Sequence, residues 1–276
     1  MREVGTRPLG LARIALGVVF VVRTTALSNL LPIPLAHVRG PLLGWPEPGA
    51  AFAWGGVVLP DNLRIALAML RTIAALLFCF GVRARAAGIV AGVCGLLALS
   101  QDPFAFIYTL YTLFLGTIIL ALGDATSHFA LVPDRRVGAA SSATLVRVFV
   151  ASVYAWSAIA KMQSEWLSGR TLVALAEDSL FTSWAAAFVI AHDTLRVLGA
   201  RSIVAVEAAL AVGLLVPRAR RIALVAAVGL HATFEVVARP DVMGWVMAAL
   251  LLGCAAAPGV SAASCASERQ ARDRGP

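Results

Sequence analysis

The sequence predicts an all-α fold, a polytopic transmembrane helical bundle of about eight spans with one further interfacial or re-entrant helix. Three observations predict it. Of the 276 residues, 60% are hydrophobic and 14% charged, with a mean hydropathy of +0.85, far more apolar than an ordinary globular domain. The apolar residues gather in runs near the ~20 residues needed to cross a bilayer core. Clusters of Gly, Pro and charge punctuate the runs, in LPIPLAHVRGP, GVRARAAG, SQDP, VPDRR, VPRARR and ARPD.

The first run, residues 11–29, follows a short basic stretch as a signal peptide would. It lacks a small-residue cleavage site and further runs follow, so it reads as a retained first helix. Runs at 62–80, 85–101, 104–122 and 144–162 come next, and 202–217, 222–238 and 241–257 complete the set. Segment 173–197 is apolar on average but carries Glu177, Asp178, His192 and Asp193. That mixture suits a helix lying in the interface or dipping into the membrane. No long polar stretch leaves room for a soluble domain, so residues 8–257 read as one transmembrane domain and 258–276 as a flexible cytoplasmic tail. The chain closes on no prenylation or lumenal retention signal.

Arginine placement supports that count. With eight crossings, Arg2, Arg7, Arg83, Arg85, Arg135, Arg136, Arg218, Arg220, Arg221 and the arginines of the tail share one side. The other side receives mainly Arg39, Arg170, Arg196, Arg201 and Arg239. By the positive-inside rule both termini are cytoplasmic. Lys161, Trp166, the 31–60 loop and the Arg239/Asp241 turn then face the other way, toward the periplasm of a bacterial inner membrane.

A formal charge of +8 raises the question of nucleic acid. The basic residues are scattered between apolar runs instead of forming a stripe, which argues against it. Cys79, Cys94, Cys254 and Cys265 lack metal-site spacing and read as small hydrophobes.

Polar groups inside apolar runs are costly against lipid and so are informative. Arg13, Arg64 and Arg147 suit snorkelling toward headgroups. Arg23, Arg71 and Glu207 fit that account less well. His231 and Glu235, four apart in GLHATFEVV, share a helical face. They can serve a proton relay, a ligand contact or a structural hydrogen bond, but two ligands without an HExxH pattern make no catalytic metal site.

Lys161 is the sharpest feature, the only lysine among 23 Lys and Arg side chains. In YAWSAIAKMQSEWLSG, the spacing from Tyr154 through Ser157 or Ala158 to Lys161 places them on one face, Tyr154 and Lys161 about two turns apart. A lysine in nonpolar surroundings can supply a neutral amine as a base. A snorkelling lysine beside an aromatic-belt tryptophan, Trp166, explains the same residues equally well.

Tyr154, Lys161 and the run Trp166, Leu167, Ser168, Gly169 resemble the WLSG-containing signature of the HTTM (horizontally transferred transmembrane) domain family, related to the membrane domain of vitamin K-dependent gamma-carboxylases. VPRARR, HATFE and RPDVMGW follow in the family's order, and the resemblance covers about residues 8–257. It implies a gamma-carboxylase-like membrane core in which Lys161 is the base that deprotonates a quinone-type cofactor, a vitamin K-like hydroquinone. The chain departs from the carboxylases in three respects. Ala160 stands where they have a second lysine, SQDPFAFIYTLYTLF offers Gln101, Asp102, Tyr108 and Tyr111 but no histidine, and their large lumenal region has no counterpart. Protein gamma-carboxylation is therefore not expected.

The candidate catalytic residues are Lys161, Tyr154, His231 and Glu235, with Trp166, Arg71 and Glu207 as candidate cofactor-binding residues and no metal. Three functional classes remain open. One is a lipid- or quinone-dependent enzyme. A second is a non-enzymatic partner or immunity protein for a secreted peptide or a neighbouring membrane protein, and the third a small-molecule transporter. Membrane lipids are expected partners in all three.

Overall fold

The computed structural model describes residues 7–24, 59–100, 108–123, 128–132, 142–177, 181, 183–237 and 242–256. These residues form eleven helices: α1 (Arg7–Thr24), α2 (Asp61–Phe80), α3 (Ala84–Ser100), α4 (Tyr108–Leu122), α5 (Ser142–Ala160), α6 (Ser164–Leu167), α7 (Arg170–Glu177), α8 (Trp184–Ala191), α9 (Asp193–Leu215), α10 (Arg220–Val237) and α11 (Val242–Cys254). Extended backbone pairs in an isolated bridge between Val82 and Val132.

Local chemistry sets the helix ends. Gly81, at φ 74°, takes the left-handed conformation that stops α2. The Val82 amide then donates back to the Leu77 carbonyl at 2.9 Å. At the start of α8 the Ser183 hydroxyl accepts from the Ala186 amide at 3.2 Å, an N-cap. Inside apolar α4, Thr112 and Thr117 return their hydroxyls to the carbonyls one turn back, at 2.9 and 2.8 Å, so neither is left unsatisfied.

α1 lies against α2 and α11, α3 joins α2 to α4, α5 lies along α9, and α10 bridges α9 and α11. One continuous core runs through them, with Leu16 and Phe20 of α1, Phe114 of α4, Val150 of α5, Leu214 of α9 and Leu250 of α11 all sealed from solvent. Phe20 and Phe114 meet at a 5.1 Å ring separation, the range in which tilted aromatic pairs attract.

The all-α class stands, and a helix occupies each of the eight apolar runs. The expectation of about eight spans does not stand. Among the described residues only Ser142–Ala160 and Asp193–Leu215 are long and apolar enough to cross a membrane. α3, α4 and α11 have 17, 15 and 13 residues, so at ~1.5 Å per residue they rise ~20–26 Å against a hydrocarbon core of ~30 Å. α1, α2 and α10 are longer but carry Arg13 and Arg23, Arg64 and Arg71, and Arg220, Arg221 and Glu235 respectively. The side assignment of the arginine clusters, which counted eight crossings, falls with the spans.

Segment 173–197 is not one helix. It is divided among α7, α8 and the first turn of α9, and α7 and α8, with eight residues each, extend only about 12 Å. Snorkelling is also overturned for two arginines. Arg13 and Arg147 are 0% and 4% exposed. Arg13 donates to the Phe129 carbonyl at 2.6 Å, and Arg147 donates to the carbonyls of Cys254 and Ala256 at the end of α11. Residues 31–58 of the 31–60 loop, Gln101, Asp102, the Arg239/Asp241 turn, Cys265 and the 258–276 tail lie outside the described residues.

Candidate functional site

α5 delivers Tyr154 and Ser157 along one face, Lys161 follows just past its end, and α9 meets them with Glu207. Both carboxylate oxygens of Glu207 accept from Lys161 Nζ at 2.9 Å. Ser157 lies between them. Its hydroxyl donates to Glu207 Oε1 at 3.0 Å, and Lys161 Nζ also reaches Ser157 Oγ. The Glu207 side chain is 7% exposed and that of Lys161 20%, so the acid is enclosed and the ammonium is the member that can be approached. Lys161 is therefore not an amine in nonpolar surroundings: a carboxylate and a hydroxyl face it.

The WLSG turn holds the other side of this cluster. Lys161 sits just beyond α5, with its amide donating to the Ser157 and Ala158 carbonyls at 3.2 and 3.1 Å. Trp166 in α6 brings its ring centroid to 5.3 Å from Lys161 Nζ, within cation–π range. Its indole N–H donates to the Ala200 carbonyl of α9 at 3.1 Å, two turns before Glu207. Gly169 has φ +77°, and a Cβ there would press on the Arg196 side chain at 2.7 Å. Glycine is what the turn into α7 requires.

Tyr154, buried at 3% exposure, turns to a different partner. Its hydroxyl and His231 Nε2 of α10 lie 2.9 Å apart. His231 and Glu235 line a groove of about 210 Å³ between α10 and α11, together with Gly244 and Trp245. A Cβ on Gly244 would collide with the Glu235 carboxylate, so the glycine lets that carboxylate lie across α11. Lys161 is not among the lining residues of the groove.

The seven predicted site residues thus fall into three places. Lys161, Glu207 and Trp166 come together; His231 and Glu235 line the α10–α11 groove, and Tyr154 meets it from α5 through His231. Arg71 joins neither. It is 2% exposed in α2, and its Nη2 donates to the Thr24 carbonyl at the end of α1 at 3.3 Å, so the structure gives it an anchoring contact to α1. Ser157 and Gly244 are the residues that the site prediction missed. Ser157 was visible as the i+3 position between Tyr154 and Lys161, whereas nothing in the RPDVMGW segment signals what Gly244 must accommodate. Among the described residues no three His, Cys, Asp or Glu side chains gather as a metal site would require.

Two apolar helices long enough to cross a bilayer, joined by a partly buried ion pair and surrounded by further apolar helices, define an all-α, membrane-associated protein. The chain belongs to the HTTM domain family, whose model matches residues 1–256. No curated protein and no solved structure is detectably similar to it.

Proposed function

We propose that this HTTM-family protein is a membrane enzyme that withdraws a proton from a lipid-soluble hydroxyl compound, a quinol or a lipid, at the Lys161–Ser157–Glu207 cluster. The observation that carries the reading is the ion pair itself. It ties Lys161, just past the end of α5, to Glu207 within apolar α9, the two helices fit to cross a membrane, and a carboxylate enclosed along such a helix is expensive and marks a functional site by default. The chemistry of the donor set fits a hydroxyl substrate. Glu207 takes the proton, directly or through Ser157, while Lys161 stays an ammonium, so the cluster gains one positive charge beside the oxyanion that forms. Trp166 shields one side of Lys161 from water. The gamma-carboxylase chemistry of related membrane domains is not assigned, because Ala160 replaces the second lysine.

Two crossings return the chain to its starting side. Arg135 and Arg136 precede α5, and Arg218, Arg220 and Arg221 follow α9. Both termini are accordingly proposed to be cytoplasmic, with residues 161–192 on the opposite face of a bacterial inner membrane.

The test is mass spectrometry of lipids and quinones in native membranes holding wild type, Lys161→Met or Glu207→Gln protein at matched amounts. A product made by wild type and lost in both variants supports the enzyme. Identical profiles in all three would transfer the assignment to a non-enzymatic membrane partner.

A further inference from the structure

The α10–α11 groove carries chemistry that the Lys161 reading does not use. His231 spends Nε2 on the Tyr154 hydroxyl at 2.9 Å, and among the described residues its Nδ1 has no partner. The contrast with His192 is direct, since that ring returns Nδ1 to the Phe188 carbonyl one turn back at 2.8 Å. His231 makes no such return, and it lines a groove walled by Val228, Ala248 and Leu251 with the Trp245 ring at one side. We propose that this groove is a lateral binding site for a compact, neutral, single-ring molecule carrying one hydroxyl or carbonyl, held through His231 Nδ1.

Size, polarity and charge each select that ligand. An apolar cavity of about 150 Å³ is enough for a benzene ring, so about 210 Å³ accommodates one substituted ring. The Tyr154–His231 pair serves either oxygen function. When Tyr154 donates to Nε2, Nδ1 carries the proton and donates to a carbonyl; when Nε2 donates to the tyrosine oxygen, Nδ1 accepts from a hydroxyl. Among the described residues no lysine or arginine lines the groove, so an anion would lose its hydration there with no cation to replace it. Trp245 offers an aromatic face for the ring. The groove opens at the surface of the bundle between the two helices, because Val228 of α10 and Trp245 of α11, both in its lining, are 56% and 55% exposed. The site stands independently of any role for Lys161.

The test uses 4-bromophenol, bromobenzene and 4-bromobenzoate as probes of the full chain in lipid nanodiscs, with tryptophan quenching by bromine as the readout. Subtracting the signal of Trp245→Phe isolates Trp245 from the other tryptophans. The expected result is saturable quenching of Trp245 by 4-bromophenol, with a midpoint about tenfold below that of bromobenzene, as one hydrogen bond predicts. 4-Bromobenzoate gives no saturable component. His231→Phe raises the 4-bromophenol midpoint to that of bromobenzene. Ala248→Leu fills the groove from an exposed position on α11 and abolishes saturation by both neutral probes without changing thermal unfolding. Equal midpoints for 4-bromophenol and bromobenzene in wild type overturn the proposal, as does saturation that survives Ala248→Leu. Both comparisons decide the matter even if His231→Phe does not fold.

Discussion

Lys161 and Glu207 are separated by 46 positions in the chain and by 2.9 Å in space. The lysine was legible from the sequence because it is unique and because its spacing from Tyr154 and Trp166 is regular. Its partner was not. Glu207 stood out as a buried charge, but hydropathy does not say which helix faces which, and it equally left unsaid that Arg71 of α2 contacts the end of α1. Removing one member of the pair leaves the other charge enclosed, a cost of about 2–4 kcal/mol for a pair with one partly exposed partner. Glu207→Leu is therefore expected to lower the unfolding midpoint in detergent more than the double change Lys161→Met with Glu207→Leu. A coupling below about 0.5 kcal/mol in that cycle would mean that the pair is incidental. Tyr154→Phe removes a single hydrogen bond and should cost about 1 kcal/mol.

The connection from α5 to α9 shows how a sequence break becomes a structural device. Ser168 and Gly169 were readable as a break, and the polar residues of 173–197 as a reason for that segment not to cross. The two separate eight-residue helices were not readable, because the apolar average of the segment hides where hydrogen bonding stops. Gly169 at φ +77° is the pivot. Gly169→Val combines left-handed strain with a collision against Arg196 and is expected to cost about 2–3 kcal/mol, while Gly169→Asn should cost less than half as much. Hydrogen exchange supplies a local reading of the same device. Trp166→Leu frees α6 from Ala200, and amides of residues 164–173 should lose protection while those of α9 keep theirs.

For the molecule as a whole, apolar runs located the helices well and overcounted the crossings. Run length measures how far apolar residues extend, whereas a crossing needs an unbroken apolar helix of sufficient rise, and α3, α4 and α11 are too short for that. Cysteine labelling from outside the membrane tests the proposed topology: Glu165→Cys should react, and Arg218→Cys should react only after permeabilisation. Arg147 has a consequence for how the protein is made. Its guanidinium, buried in α5, is satisfied by carbonyls of residues 254 and 256, more than 100 positions later. At ~5–20 residues per second of synthesis, the ribosome holds that cation unmatched for some 5–20 seconds, so the chain cannot close its centre until nearly all of the family-matched segment has emerged. A chain interrupted before residue 254 is therefore expected to leave the Arg147 guanidinium without these carbonyls and to be cleared from the cell faster than one that reaches residue 256.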